Sequence, residues 1–226
     1  MRKMKYRQER KHEISYGDLL VLRQRLQAVA KYDRHTTDGK YEVRSLYFDN
    51  ISDKALREKT DGVNNREKFR IRFYNRDASM IRLEKKSKTG GFCRKESVLL
   101  NREQTQAIVE GRFDWMIQSK EPLLCELYSK IMSQGLRPKT IVDYTREPFV
   151  FAPGNVRVTL DYNIRTGLLD TDFLNSKSIT VPAGNAPVIL EVKWDDYLPD
   201  LIRDAVQLKN SRGGSFSKYA ACRIYG

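Results

Sequence analysis

The chain has 226 residues, with 42 Lys and Arg against 29 Asp and Glu, a formal net charge of +13 with both histidines neutral. Hydrophobic residues make up 40% and charged residues 31%, enough apolar content to bury a sizeable core, which excludes a chain disordered by composition. The surplus of base points to an anionic partner (nucleic acid, an acidic membrane surface or a polyphosphorylated molecule) or to a merely solubilising surface. The longest uncharged stretch, Ser178–Leu190, is too short to span a bilayer and is broken by Pro182, Gly184 and Pro187. The basic N-terminus leads into Gln8, Glu9 and Arg10 rather than an apolar run, so no secretory leader is expected. Cys93, Cys125 and Cys222 have no CxxC spacing and are odd in number, which argues against a zinc cluster or a disulfide framework and for a reducing, cytoplasmic setting.

No linker, low-complexity tract or fixed-period repeat interrupts the chain, so one domain over 1–226 is expected. The first period-two segment is Lys5–Ile14. Asp18–Tyr32 follows with Leu19, Leu22, Leu26 and Val29 at helical spacing and Asp18 as the expected N-cap. Tyr41–Asp49 alternates again, with Val43, Ser45, Tyr47 and Asp49 on one face and Arg44, Leu46 and Phe48 on the other. Glu67–Tyr74 is a further strand, and Met80–Lys86 and Cys93–Leu100 flank a hairpin turn at Thr89, Gly90 and Gly91. Asn101 with Gln104 makes a capping-box start for a helix over Asn101–Gln118. Pro122 suits the first turn of another helix running to Ser133, and Gly135 its end. Strands over Thr140–Pro148, Val156–Asp161 and Val188–Trp194 and a short helix over Pro199–Lys209 complete the series. The pattern predicts an α+β fold built on a large antiparallel sheet or barrel with flanking helices.

Alternation also assigns the charge to faces. Lys68, Arg70 and Arg72 share a side, as do Arg82, Glu84 and Lys86, with Lys85 the exception on the apolar side. Arg7, Glu9 and Lys11 group likewise, then Tyr144 with Arg146, Arg157 with Thr159 and Asp161, and Glu191 with Lys193, the last pair set against apolar positions that include Ile189. One such row is an ordinary solvated face. Six of them, rich in Arg and Lys with a few carboxylates, fit equally a charged lumen whose crowded bases need a polyanion, for which phosphate is well matched.

Seven motifs stand in one order: Arg7-x-Glu9-x-Lys11, F-R-I-R-F-Y-N at Phe69–Asn75, R-L-E-K-K at Arg82–Lys86, D-Y-T-R-E-P-F at Asp143–Phe149, V-R-V-T-L-D at Val156–Asp161, I-L-E-V-K-W at Ile189–Trp194 and F-S-K-Y at Phe216–Tyr219. Together they resemble the VTC (vacuolar transporter chaperone) domain in its compact bacterial form, the polyphosphate polymerase branch of the triphosphate tunnel metalloenzymes (the CYTH-like superfamily). The resemblance implies an eight-stranded antiparallel β-barrel, a triphosphate tunnel. It implies an enzyme that transfers the γ-phosphate of ATP onto a growing polyphosphate chain with Mn²⁺ or Mg²⁺. By motif, Arg70, Arg72, Lys86 and Lys218 would be the catalytic bases. Lys11, Arg94, Arg146 and Arg157 would bind substrate together with the hydroxyls of Tyr144 and Ser217, and Glu191 and Glu9 would hold the metal. The first strand has Arg7 in place of one carboxylate of the ExExK pattern of the triphosphatase and cyclase branch, which favours holding a polyanion over two-metal hydrolysis. Glu96 stands where the family often has another base.

Two other readings remain: a tunnel triphosphatase that uses water as the acceptor, and a non-catalytic polyphosphate-binding module. Nucleic acid is not expected, since the aromatics alternate with the bases and point away from them. No membrane insertion is expected, and a separate membrane protein could receive the polymer. No Walker loop, HExxH, GxSxG or Ser-His-Asp pattern is found, and His12 and His35 look incidental.

Overall fold

The computed structural model describes residues 7–90, 92–185, 187–208 and 212–224. In chain order the elements are β1 (Gln8–Ile14), α1 (Tyr16–Val29), β2 (Lys31–Tyr32), β3 (Tyr41–Asp49), α2 (Lys54–Thr60), β4 (Arg66–Tyr74), β5 (Asp77–Thr89) and β6 (Phe92–Leu100). After these come α3 (Arg102–Val109), α4 (Pro122–Gln134), β7 (Arg137–Phe151), β8 (Val156–Thr166), β9 (Val181–Pro182), β10 (Val188–Trp194), α5 (Asp200–Ala205), β11 (Arg212–Gly213) and α6 (Lys218–Ile224). The fold is α+β. Its eight longer strands, β1, β3 to β8 and β10, match the number expected, and every pair whose register is fixed is antiparallel. No helix among the described residues is long and apolar enough to cross a membrane.

The chain packs as two compact units. One comprises the described parts of Met1–Glu42, Tyr144–Ile164 and Asn185–Phe216, and the other those of Val43–Asp143, Arg165–Gly184 and Ser217–Gly226. Each is named below for its central buried carboxylate, Glu191 and Glu84.

In the Glu191 unit the strands run β11-β1-β10-β8-β7, with β2 on β7. The apolar faces of β8 and β10 (Val158, Leu160, Leu190 and Val192) pack against Leu19, Leu22 and Leu26 of α1. The helix starts at Ser15 rather than Asp18. Ser15 Oγ accepts from the Asp18 amide at 3.0 Å, and Asp18 returns the bond to the Ser15 amide, also at 3.0 Å, so Asp18 is the third residue of a capping box.

In the Glu84 unit the strands run β7-β3-β4-β5-β6. Leu46, Phe48, Phe69, Ile71, Phe73 and Leu83 are buried against Leu123, Leu124, Leu127 and Ile131 of α4. Asn75 and Arg76 close the β4–β5 hairpin, both at positive φ (50° and 56°), the primed geometry that matches strand twist. The helix expected over Asn101–Gln118 keeps its Asn101/Gln104 cap but ends at Val109. Gly111 sits at φ 78°, and a separate 3₁₀ turn covers Asp114–Gln118. Pro122 opens α4 and Gly135, at φ 68°, closes it, as expected. The helix expected over Pro199–Lys209 is cut to α5, and α2 and α6 were not anticipated. Of the expected Gly90–Gly91 turn, Gly90 adopts φ 56°; Gly91, Lys209, Asn210 and the start of the first strand at Lys5 lie outside the described residues.

Candidate functional site: two basic rows around buried carboxylates

In the Glu84 unit the register sets Tyr47 opposite Arg70, Ser45 opposite Arg72, Arg70 opposite Glu84 and Lys68 opposite Lys86. These side chains therefore share one face, and the apolar partners between them make the core. Glu84 is 2% exposed. Arg70 reaches it through Nε at 2.8 Å and Nη2 at 2.7 Å, Lys95 Nζ at 2.6 Å and Arg72 Nη1 at 3.8 Å. Burial opposes its charge, but Arg70, Arg72 and Lys95 prevail and hold the carboxyl down to about 2. Lys85, on the opposite side, is absorbed in a network with Glu67 and Glu126.

Lys218, the first residue of α6, and Ser217 just before it belong to this unit. Asp49 accepts from Tyr219 Oη at 2.6 Å and from the amides of Ala55 and Leu56 at 2.9 and 3.1 Å, tying α6 and α2 to the end of β3. Tyr219 thereby stacks on Tyr47 with ring centroids 5.0 Å apart, and Lys218 is its neighbour in the chain. Ser217 Oγ accepts from the Ala220 amide at 3.4 Å, so this hydroxyl also caps a helix turn. Arg94 does not join the row. It lies opposite Ser87, is 70% exposed and pairs with Glu96 at 3.1 Å, whereas Lys95 lies opposite Lys86 and reaches Glu84.

In the Glu191 unit, Lys11 faces Glu191 on β10, and Glu191 faces Thr159 on β8. Lys11 Nζ lies 2.6 Å from Glu9 and 3.7 Å from Glu191, while Lys193 pairs with Glu191 and stands 3.9 Å from Glu9. Burial disfavours both ammonium groups. At Lys11 the two carboxylates outweigh it and raise the pKa; at Lys193, with Arg146 also near, the pKa falls below its ordinary value. Arg146 grips the fully buried Asp161 with both fork nitrogens, at 2.6 and 2.7 Å, and lies over the Tyr144 ring at 5.4 Å. Arg157 donates to Tyr41 Oη at 2.9 Å and lies 3.3 Å from Asp33. Its buried Nε and the buried Thr159 Oγ1 have no hydrogen-bond partner among the described residues. Ile189, placed with the apolar positions by sequence, is buried but shares the register face of Glu191.

Lys11, Glu9, Tyr144, Arg146, Arg157 and Glu191 thus gather in one unit, and Arg70, Arg72, Lys86, Ser217 and Lys218 belong to the other. Sequence reasoning assigned no role to Glu84, Lys95, Asp161, Thr159, Lys193 or Tyr47. Face parity on neighbouring strands was the signal that could have found most of them, Thr159 and Asp161 beside Arg157 above all. The bases are not left to repel one another, since each row is interleaved with carboxylates. His12 faces away, as alternation implied, into a cavity of about 300 Å³ lined also by Arg10, Leu190 and Val192.

The fold is similar to the crystal structure of a "putative adenylate cyclase" from Bacillus halodurans, with 15% identity and a TM-score of 0.51 over 84% of this chain and 80% of that one. The PH1819 protein of Pyrococcus horikoshii OT3 aligns more loosely, with 17% identity and a TM-score of 0.43 over 89% and 84%. No curated protein matches the chain. The family model of the VTC domain matches residues 6–224, nearly the full length. The chain therefore belongs to the VTC domain family, and that membership together with the charged rows supports a role in triphosphate or polyphosphate chemistry.

Proposed function

We propose that this protein is a metal-dependent phosphotransferase that moves the γ-phosphate of ATP onto the end of an inorganic polyphosphate chain. The observation that carries this reading is the pair of Arg- and Lys-rich strand faces in a VTC domain, one of them holding buried donor atoms, Arg157 Nε and Thr159 Oγ1, without partners. Phosphate oxygens would satisfy such atoms, accepting from the guanidinium of Arg157 and the hydroxyl of Thr159. Phosphoryl transfer asks mainly for positioning and for neutralisation of developing charge, so no protein nucleophile is needed. The terminal phosphate oxygen of the chain attacks the γ-phosphorus, and the bond to the β-phosphate oxygen breaks to release ADP.

The family resemblance implies a divalent cation, Mn²⁺ or Mg²⁺. Among the described residues no three His, Cys, Asp or Glu side chains form a cage for one. A hard cation shared with substrate phosphates needs only one or two carboxylates, which Glu191 and Glu9 supply, with the unpartnered Thr159 hydroxyl opposite Glu191. The bound cation would neutralise charge on the transferring phosphoryl group. Lys11 and Lys193 pair with both carboxylates and fix their positions.

The test is incubation with ATP and Mn²⁺ or Mg²⁺, with separate assays for polymer and for free phosphate. Polymer with matching ADP supports the reading. Free phosphate alone means a triphosphatase, and tight triphosphate binding without turnover means a binding module.

A further inference from the structure

Tyr47 is 3% exposed, in the middle of the basic row of the Glu84 unit. Arg70 Nη1 donates to its Oη at 2.9 Å, and Lys68 and Arg70 lie over its ring at 5.6 and 5.7 Å. Its ring is also stacked on Tyr219, whose own hydroxyl is committed to Asp49. The charged groups around it are Lys68, Arg70 and Arg72 from β4, Glu84 from β5 (already bound by Arg70), Asp49 farther along β3, and Lys218 next to Tyr219 on α6. A guanidinium only donates, so the bond at Oη is one that the oxygen accepts, and that bond is stronger when the oxygen carries charge.

We propose that Tyr47 is a further residue of the phosphate site: in the ligand-free protein its phenolate is the built-in counter-ion of the basic row, and a bound polyanion replaces it in that role, leaving a neutral phenol that donates to a phosphate oxygen. The proposal rests on the phosphate reading above. The balance is one proton: phenolate oxygen takes one from solvent as the phosphate's negative charge takes over the pairing with Arg70, Lys68 and Arg72. The environment agrees with this. Burial alone would raise the phenol, but Arg70, Lys68 and Arg72 overcome it and bring Tyr47 from 10 down to about 7. Two other tyrosines, Tyr162 and Tyr219, are pushed the opposite way, by burial and by hydrogen bonds to Glu147 and Asp49. A tyrosine ionising near neutrality is therefore spectrally separable from them.

The experiment is a pH titration of tyrosinate absorbance near 295 nm on the full chain and on Tyr47→Phe, with and without inorganic triphosphate and without metal, paired with calorimetric triphosphate affinity at each pH. The phenylalanine keeps the stack on Tyr219, and circular dichroism checks its fold. The expected result is one tyrosinate step about three pH units below an ordinary tyrosine in the ligand-free protein, absent from Tyr47→Phe and moved up by more than one unit by triphosphate. Above that step, the ratio of wild-type to Tyr47→Phe affinity should fall up to tenfold per pH unit, the variant serving to cancel the ionisation of triphosphate itself. A ligand-free protein with no such step, or a step that survives in Tyr47→Phe, overturns the phenolate. A Tyr47 step that triphosphate binds without moving overturns the donor role. Absence of triphosphate binding at every pH, with the Tyr47 step in place, overturns the phosphate reading and with it the exchange, while showing that the phenolate exists.

Discussion

Glu84 and Glu191 are both buried carboxylates on strand faces crowded with bases, and they are held differently. Around Glu84 stand Arg70, Arg72 and Lys95, with Lys68 and Lys86 on the same face, so one carboxylate is outnumbered by base. Around Glu191 the bases Lys11, Lys193, Arg146 and Arg157 are matched in number by Glu9, Glu191, Asp161 and Asp33. The first arrangement leaves positive charge for an anion. The second offers oxygen ligands beside bases, the mixture that a phosphate and its cation need together. One kind of strand face, alternating ionic with apolar residues, thus yields two electrostatic settings according to how many carboxylates the neighbouring strands bring.

The largest effect should come from Glu84→Gln. Removing the charge strands Arg70, Arg72 and Lys95 around a buried neutral amide, and breaking a buried pair of this kind costs about 3–5 kcal/mol. Chemical denaturation measures the loss, and added triphosphate should recover more of it than in the wild type. An unchanged midpoint would mean that the bases of this row are held by other contacts. Acid gives a related test. Glu84 is held at about 2 against an ordinary 4.5, so its contribution of about 3 kcal/mol is fully present above the ordinary value and lost as pH falls toward the folded one. Wild-type stability should drop across that window, and Glu84→Gln should show a shallower drop.

Arg70→Ala should cost less, about 2 kcal/mol, because Arg72 and Lys95 still face Glu84. A row of mutually repelling bases would have left folding unharmed; the bond to Glu84 makes loss of stability and loss of triphosphate affinity arrive together. A melting temperature equal to the wild type's would return Arg70 to an unpaired role. A smaller stability change than for Glu84→Gln is expected for Glu191→Gln, because Glu9 still neutralises Lys11 and stands 3.9 Å from Lys193. This variant should lose metal-dependent turnover and keep metal-free triphosphate binding, measured by calorimetry. Retained turnover would move the metal ligand to Glu9, and lost binding in a folded protein would make Glu191 a residue that orients Lys11 and Lys193.

The eight long strands were legible because each alternates, and alternation also told correctly that Leu46, Phe48, Phe69 and Ile71 face the core while Arg70 and Arg72 do not. The β4–β5 turn was not legible, since Asn75-Arg76 lacks the glycine that usually marks a primed hairpin. Helix α6 was equally hidden. Seven residues without a clear apolar period are held by the Tyr219–Asp49 bond and the stack on Tyr47, contacts across about 170 positions of sequence.

Parity along one strand depends only on backbone geometry, so the sequence by itself determined which side chains share a face, the excess of base on those faces, and the order of motifs that places the chain in its family. Which residue of one strand meets which of the next is set by register, and register is fixed by turns, bulges and the packing of distant apolar faces. Tertiary structure alone therefore decided that Lys95 rather than Arg94 reaches Glu84, that Glu191 lies between Lys11 and Lys193, and that Tyr47 stands among three bases.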